Sequence, residues 1–126
     1  MSQESFTLYG IPNCDTCRKA RRWLDEHGAS YRFHDVRKDG MDIQTLERWS
    51  DRVDVERLLN KRSTSWRELS DAKKSDLSRS KILALLLENP TLIRRPVLES
   101  ALVTAAGFSE AGYQKILDTL QSASKP

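Results

Sequence analysis

The 126-residue chain has little of what marks several protein classes. Its two cysteines are too few to make the disulfide framework of a small secreted domain. With 5 glycines and 4 prolines, collagen-like and Gly/Pro-rich low-complexity sequences are excluded. No apolar run approaches the roughly 18 residues of a membrane span. No repeat and no Gly/Ser/Pro-rich linker divides the chain. Met1 to Ser5 carry neither a basic nor an apolar leader segment, so no secretory signal and a cytoplasmic location are expected. The excess of one charge sign is small, +3. That balance suits anionic ligands but predicts neither direct nucleic-acid binding nor a membrane partner. What is present, 38% hydrophobic and 31% charged residues, is the composition of one globular domain. At this length it buries roughly two-thirds of its unfolded surface without metal or disulfide staples.

Phe6-Thr7-Leu8-Tyr9, closed by Gly10, reads as a short buried strand. From Asp15 to His27 the apolar residues Cys17, Ala20, Trp23 and Leu24 recur at three/four spacing and Gly28 ends the run, predicting an amphipathic helix. Tyr31 to Val36 alternates aromatic and polar residues as a second strand, completing a β-α-β unit of the kind that makes a parallel pair. A long stretch without strand signals follows. Asp42 is placed to cap a helix with Ile43, Leu46 and Trp49; Val55, Leu58 and Leu59 fit a short helix; Ser65 precedes one with Trp66 and Leu69. Ser80 to Glu88 carries Ile82, Leu83 and Leu85–Leu87 before Pro90. Trp23, Trp66 and that leucine run are read as core. Val97–Glu99 and Leu102–Thr104 then read as two strands, and Ser109 caps a final helix with Tyr113, Ile116, Leu117 and Leu120. The expected class is α/β: a thioredoxin-like (glutaredoxin-like) core β-α-β…β-β-α with an inserted helical subdomain. A single domain over 1–126 is expected, with the core at about 5–37 and 90–120 and the insertion at about 41–89.

Cys14-Asp15-Thr16-Cys17-Arg18 is the chemical centre. Cys14 stands where the first loop enters the first helix. There the unpaired backbone N–H groups and the positive end of the helix dipole stabilise a thiolate, lowering the thiol pKa. The same groups form an anion site, to which Thr16 adds a hydroxyl and Arg18 a positive charge. Cys17, one turn on, is close enough to form a reversible disulfide with Cys14. It also shares the Ala20/Leu24 face and fits equally as a small core residue. The remaining candidate ligands, His27 and His34, match no common zinc spacing, so no metal is expected. Arg18, Lys19, Arg21 and Arg22 read most simply as a solvated helix face. Arg95-Pro96, just before a strand, invites a cis peptide bond.

Gly10-Ile11-Pro12-Asn13-Cys14-Asp15-Thr16-Cys17-Arg18-Lys19-Ala20, Tyr31–Val36 and Ile93-Arg94-Arg95-Pro96-Val97 together resemble the glutaredoxin-linked arsenate reductase (ArsC) family, particularly its YffB-type and Spx-type branches. The likeness runs from about Phe6 to Leu120. It implies a thioredoxin-like fold with a helical insertion, Cys14 as nucleophile, Arg62 and Arg95 as anion- or glutathione-binding arginines, and a cis Pro96. It further implies a thiol oxidoreductase with no tightly bound cofactor. Glutathione would be its co-substrate, with glutaredoxin as a further partner, and the substrate a small oxyanion or a disulfide. Arsenate reductases have arginines where this chain has Asn60 and Gly107, and commonly serine where it has Cys17. Two of three guanidiniums that would clamp a tetrahedral anion are therefore absent, which argues against arsenate as the substrate. The Spx-type alternative implies a redox-sensing regulator that binds the RNA polymerase alpha subunit through a Cys14–Cys17 disulfide switch.

Overall fold

A computed structural model describes residues 6–124. The elements in chain order are β1 (Phe6–Gly10), α1 (Asp15–Glu26), β2 (Tyr31–Asp35), α2 (Ile43–Arg52), α3 (Val55–Leu58), α4 (Thr64–Arg67), α5 (Asp71–Lys74) and α6 (Arg79–Glu88). A 3-10 turn (Pro90–Leu92), β3 (Val97–Glu99), β4 (Thr104–Ala106) and α7 (Glu110–Ser124) complete it. The described residues fall into two compact units, one of residues 6–35 and 95–124 and one of residues 36–94. Among the described residues no helix is long and apolar enough to cross a membrane.

The sheet unit has strand order β2-β1-β3-β4. β1 and β2 run parallel, Leu8 opposite Phe33, because α1 crosses over between them. β3 is antiparallel to both β1 and β4, pairing Leu98 with Leu8 and with Ala105. Phe6, Leu8, Ala20, Trp23, Leu24, Leu98, Tyr113 and Ile116 make one buried cluster. The inward stripe of α1 therefore packs with residues of the sheet and α7. Trp23, Phe108 and Tyr113 meet edge-on, with the Phe108 and Tyr113 rings 4.7 Å apart, a geometry that aligns ring edges with ring faces. Gly28, at φ 67°, provides the left-handed step that ends α1.

Two strands differ in extent from where the pattern puts them. β2 ends at Asp35, one residue before Val36. The fourth strand is Thr104–Ala106, not Leu102–Thr104. The Ser100 hydroxyl accepts hydrogen bonds from Leu102 N–H (3.2 Å) and Val103 N–H (2.9 Å), so those donors are consumed in the turn. Ser109 caps the last helix as expected, its Oγ accepting from Gly112 N–H at 3.1 Å.

In the helical unit every helix starts on a side-chain cap: Asp42, Asp54, Ser63, Ser70 and Ser78 each accept a backbone N–H of the following turn. The cap of α4 is Ser63, and Ser65 lies within the helix, its hydroxyl meeting Thr91 Oγ1 at 2.6 Å. α6 packs against α2, α3 and the 3-10 turn, and Leu46, Trp49, Leu58, Ile82, Leu86 and Leu92 are buried. Trp66 is only half-buried, flanked by Lys61 and Lys74 with their Nζ atoms 5.9 and 5.6 Å from the ring centre, and Leu87 is exposed. Neither is core, in contrast to Leu85 and Leu86.

Candidate active site

The loop Ile11-Pro12-Asn13 leaves the end of β1 and delivers Cys14 to the N-cap position of α1, in extended backbone (φ −107°, ψ 125°). Its carbonyl accepts the first helical hydrogen bond, from Arg18 N–H at 2.9 Å. Cys14 is half-buried, Cys17 is fully buried, and both are free thiols. Among the described residues the Cys14 side chain makes no capping hydrogen bond.

The two sulfurs have opposite electrostatics. Partial burial of Cys14 opposes its ionisation. The backbone N–H and thiol of Cys17, the Arg95 guanidinium and the Thr16 backbone N–H together outweigh that, and its pKa lies below the ordinary thiol value. For Cys17 burial dominates. The Ile11 N–H and Arg95 relieve it only in part, while the charge of the neighbouring Cys14 adds to it, and the pKa is pushed up to about 12. Of the two, the outer sulfur thus gives up its proton first and the inner one keeps its own.

Arg94 and Arg95 are adjacent in sequence but differ in what they hold. Arg94 belongs to the helical unit, where its backbone N–H donates to Leu58 O at 2.7 Å and its Nε to Arg57 O at 2.8 Å. Arg95 begins the returning segment of the sheet unit and acts on both sulfurs. The Arg95–Pro96 peptide is cis. Thr16 is exposed and reaches Cys14 through its backbone N–H. Arg18, also exposed, is ion-paired with Asp15. The sheet unit therefore gathers Cys14, Thr16, Cys17, Arg18, Arg95 and Pro96. Arg62 lies in the helical unit, exposed, in a turn where its N–H donates to Asn60 Oδ1 at 3.0 Å.

Two residues of this neighbourhood escape sequence reasoning. Gly10 reads as a strand terminator, yet a Cβ there would lie 2.6 Å from Cys17 Sγ. Tyr113 reads as helix core. Its hydroxyl is buried without a hydrogen-bond partner among the described residues, and its pKa is raised by burial and by charge on Cys17. Hydrophobic spacing reports that such residues face inward, not which atom they face.

A mixed four-stranded sheet with a parallel β-α-β unit, and a cysteine pair opening its helix, defines a thioredoxin-like protein. Residues 9–116 match the ArsC family, and the chain belongs to it. It is similar to the solved structure of a YFFB protein, with 43% identity and a TM-score of 0.85 over 87% of this chain and 96% of that one. The global transcriptional regulator Spx of Enterococcus faecalis is 30% identical over 113 residues, covering 88% of this chain and 85% of Spx. An arsenate reductase from Vibrio cholerae, 20% identical, shares the fold with a TM-score of 0.78 over 91% of this chain and 99% of that one.

Proposed function

We propose that this chain is a thiol oxidoreductase in which the Cys14 thiolate is the nucleophile and glutathione the co-substrate, with glutaredoxin able to act on the same intermediate. The observation that supports it most is the split between the two sulfurs, Cys14 lowered and Cys17 pushed up to about 12. The thiolate attacks one sulfur of a mixed disulfide. A Cys14–sulfur bond forms, the original S–S bond breaks, and the departing thiolate leaves with the electron pair. Cys14 then no longer carries the charge that raises Cys17. Cys17 gives its proton to solvent, attacks the Cys14 sulfur and expels the second thiolate, leaving a Cys14–Cys17 disulfide. Two glutathione thiols reduce that bond and leave as glutathione disulfide.

Arg95 is suited to hold an anionic substrate group beside Cys14, and Arg62 takes the part that the family resemblance implies. Arsenate fits the reading poorly. Gly107 sits at φ 83° with its N–H donating to Pro96 O at 2.8 Å, a backbone that disfavours arginine. Asn60 is committed to the turn at Arg62.

The test is mass spectrometry after incubation with oxidised glutathione. The native chain should form the internal disulfide, Cys17→Ser should trap a glutathione adduct on Cys14, and Cys14→Ser should form neither. An unmodified Cys14 in the Cys17→Ser protein would end this reading. Arg62→Ala and Arg95→Ala should both slow adduct formation.

The Cys-x-x-Cys pair and the 30% identity to Spx favour a second reading, a redox-sensing regulator that binds the RNA polymerase alpha subunit. A pull-down that retains no alpha subunit from either the reduced or the oxidised chain would remove it.

A further inference from the structure

The outer face of α1 carries an ordered series of charges that begins at the nucleophile. With 3.6 residues per turn, Cys14, Arg18, Arg21 and Asp25 (i, i+4, i+7, i+11) form one ridge, flanked by Arg22 and Glu26. The core positions Cys17, Ala20, Trp23 and Leu24 face the other way. Beside the ridge a shallow groove of about 540 Å³ is lined by Arg18, Arg21, Arg22, Asp25 and Glu26.

The middle of the groove is held in place by β2. The Arg21 guanidinium lies 4.1 Å over the centre of the Phe33 ring. The Tyr31 hydroxyl sits between Arg21 and Asp25, donating to Asp25 Oδ1 at 3.2 Å and accepting from Arg21. Arg22 is exposed and has no ion-pair partner among the described residues. Nearest Cys14 the charge of Arg18 is paired with Asp15, so the excess positive charge of the face lies at Arg21 and Arg22 and the negative charge at Asp25 and Glu26 at the far end. An isotropic anion or a uniform polyanion would meet repulsion at Asp25 and Glu26, whereas a chain with its own charge order would match throughout.

We propose that this groove docks an extended segment of a protein substrate that is acidic just beyond its reacting cysteine and basic after that. The substrate assignment rests on the reading of Cys14 as a nucleophile; the docking surface itself does not. At about 1.5 Å per residue the arginines lie roughly 6 to 12 Å along the axis from Cys14, and the carboxylates roughly 17 Å. For an extended chain of about 3.3 Å per residue, this places acidic residues at about the second to fourth positions after the substrate cysteine. Basic residues fall at about the fifth and sixth.

The experiment measures fluorescence anisotropy of labelled peptides on the full chain carrying Cys14→Ser, with serine in place of the peptide cysteine, so that no disulfide chemistry contributes. One peptide has the acid-then-base order and another has the same residues with acids and bases exchanged. A single-stranded oligonucleotide serves as a polyanion. At low salt the first peptide should bind about fivefold or more tightly than the second. The preference should shrink at high salt, and Arg22→Glu should abolish or invert it. Equal binding of the two peptides, a preference that survives Arg22→Glu, or oligonucleotide binding as tight as the first peptide would each overturn the proposal. A parallel arm follows the native chain with hydroxyethyl disulfide, an uncharged probe. Failure to react there counts against the Cys14 chemistry and leaves the binding result to stand on its own.

Discussion

Gly10 and Cys17 occupy the same small space: the position that a Cβ would take on residue 10 is 2.6 Å from the Cys17 sulfur. The last residue of β1 thus has no side chain because the first turn of α1 places its buried thiol there. The requirement links strand and helix through one atom. Gly10→Ala should destabilise the chain by about 1–3 kcal/mol through overpacking. In Gly10→Ala/Cys17→Ala the nearest remaining approaches are the residue 17 Cβ and Phe33 Cε1, both at 3.5 Å and ordinary contacts. The double variant should therefore recover most of the loss. Urea unfolding of the four proteins of this cycle gives the coupling directly, and additive effects would show that the sulfur is not what Gly10 accommodates.

Arg95 is the one full positive charge among the groups that hold Cys14 ionised. Because the Cys14 pKa is lowered, its thiolate persists below the ordinary thiol range. Alkylation by iodoacetamide should therefore fall off only when pH drops through that lowered value. Arg95→Gln should move the midpoint of the rate profile upward and slow the reaction at neutral pH, with the rate at high pH little changed. Stopped alkylation with peptide mapping separates Cys14 from Cys17, which should stay unlabelled across the neutral range.

Cys17 has the opposite dependence. Its pKa in the folded chain is about 12 against an ordinary value of 9.0, so between those values the unfolded chain releases a proton that the folded chain keeps. Its contribution to stability is present in full below pH 9 and is lost as pH rises towards 12. Cys17→Ala should consequently unfold less steeply with pH in this window than the native chain. Chemical denaturation followed by circular dichroism at a series of alkaline pH values reads that difference. Parallel slopes would mean that the thiol ionises in place.

Tyr113 is 2% exposed and its hydroxyl has no hydrogen-bond partner among the described residues. Desolvating an unpaired hydroxyl costs about 1–3 kcal/mol, whereas its ring makes the edge contacts with Trp23 and Phe108. Tyr113→Phe keeps the ring and removes the penalty. It should be neutral or stabilise the fold by up to about 1 kcal/mol, and Tyr113→Ala should cost about 3–5 kcal/mol. A loss of stability in the phenylalanine variant would reveal a partner for the hydroxyl.

Much of this architecture is legible in the pattern of the chain. Cys17, Ala20, Trp23 and Leu24 announce α1, and Asp42 and Ser109 sit where their helices start. Cys14 stands out because helix-start chemistry is local. The pattern misplaces β4 because the Ser100 hydroxyl consumes the N–H groups of Leu102 and Val103. It puts Trp66 in a core because an indole is apolar by composition even where lysines cover it. Arg94 and Arg95 look alike in sequence, and only their surroundings separate an anchor to Leu58 and Arg57 from a charge acting on the cysteines.

The order of strands and helices and the placing of a cysteine at a helix start are written in the chain itself, because periodicity, capping and backbone donors act over a few residues. Tertiary structure alone decided which sulfur ionises, which arginine acts on it, and why residue 10 has no side chain. Each of those depends on the distance and burial of groups that are far apart along the chain, and these are fixed only when the sheet and helices close around the thiols.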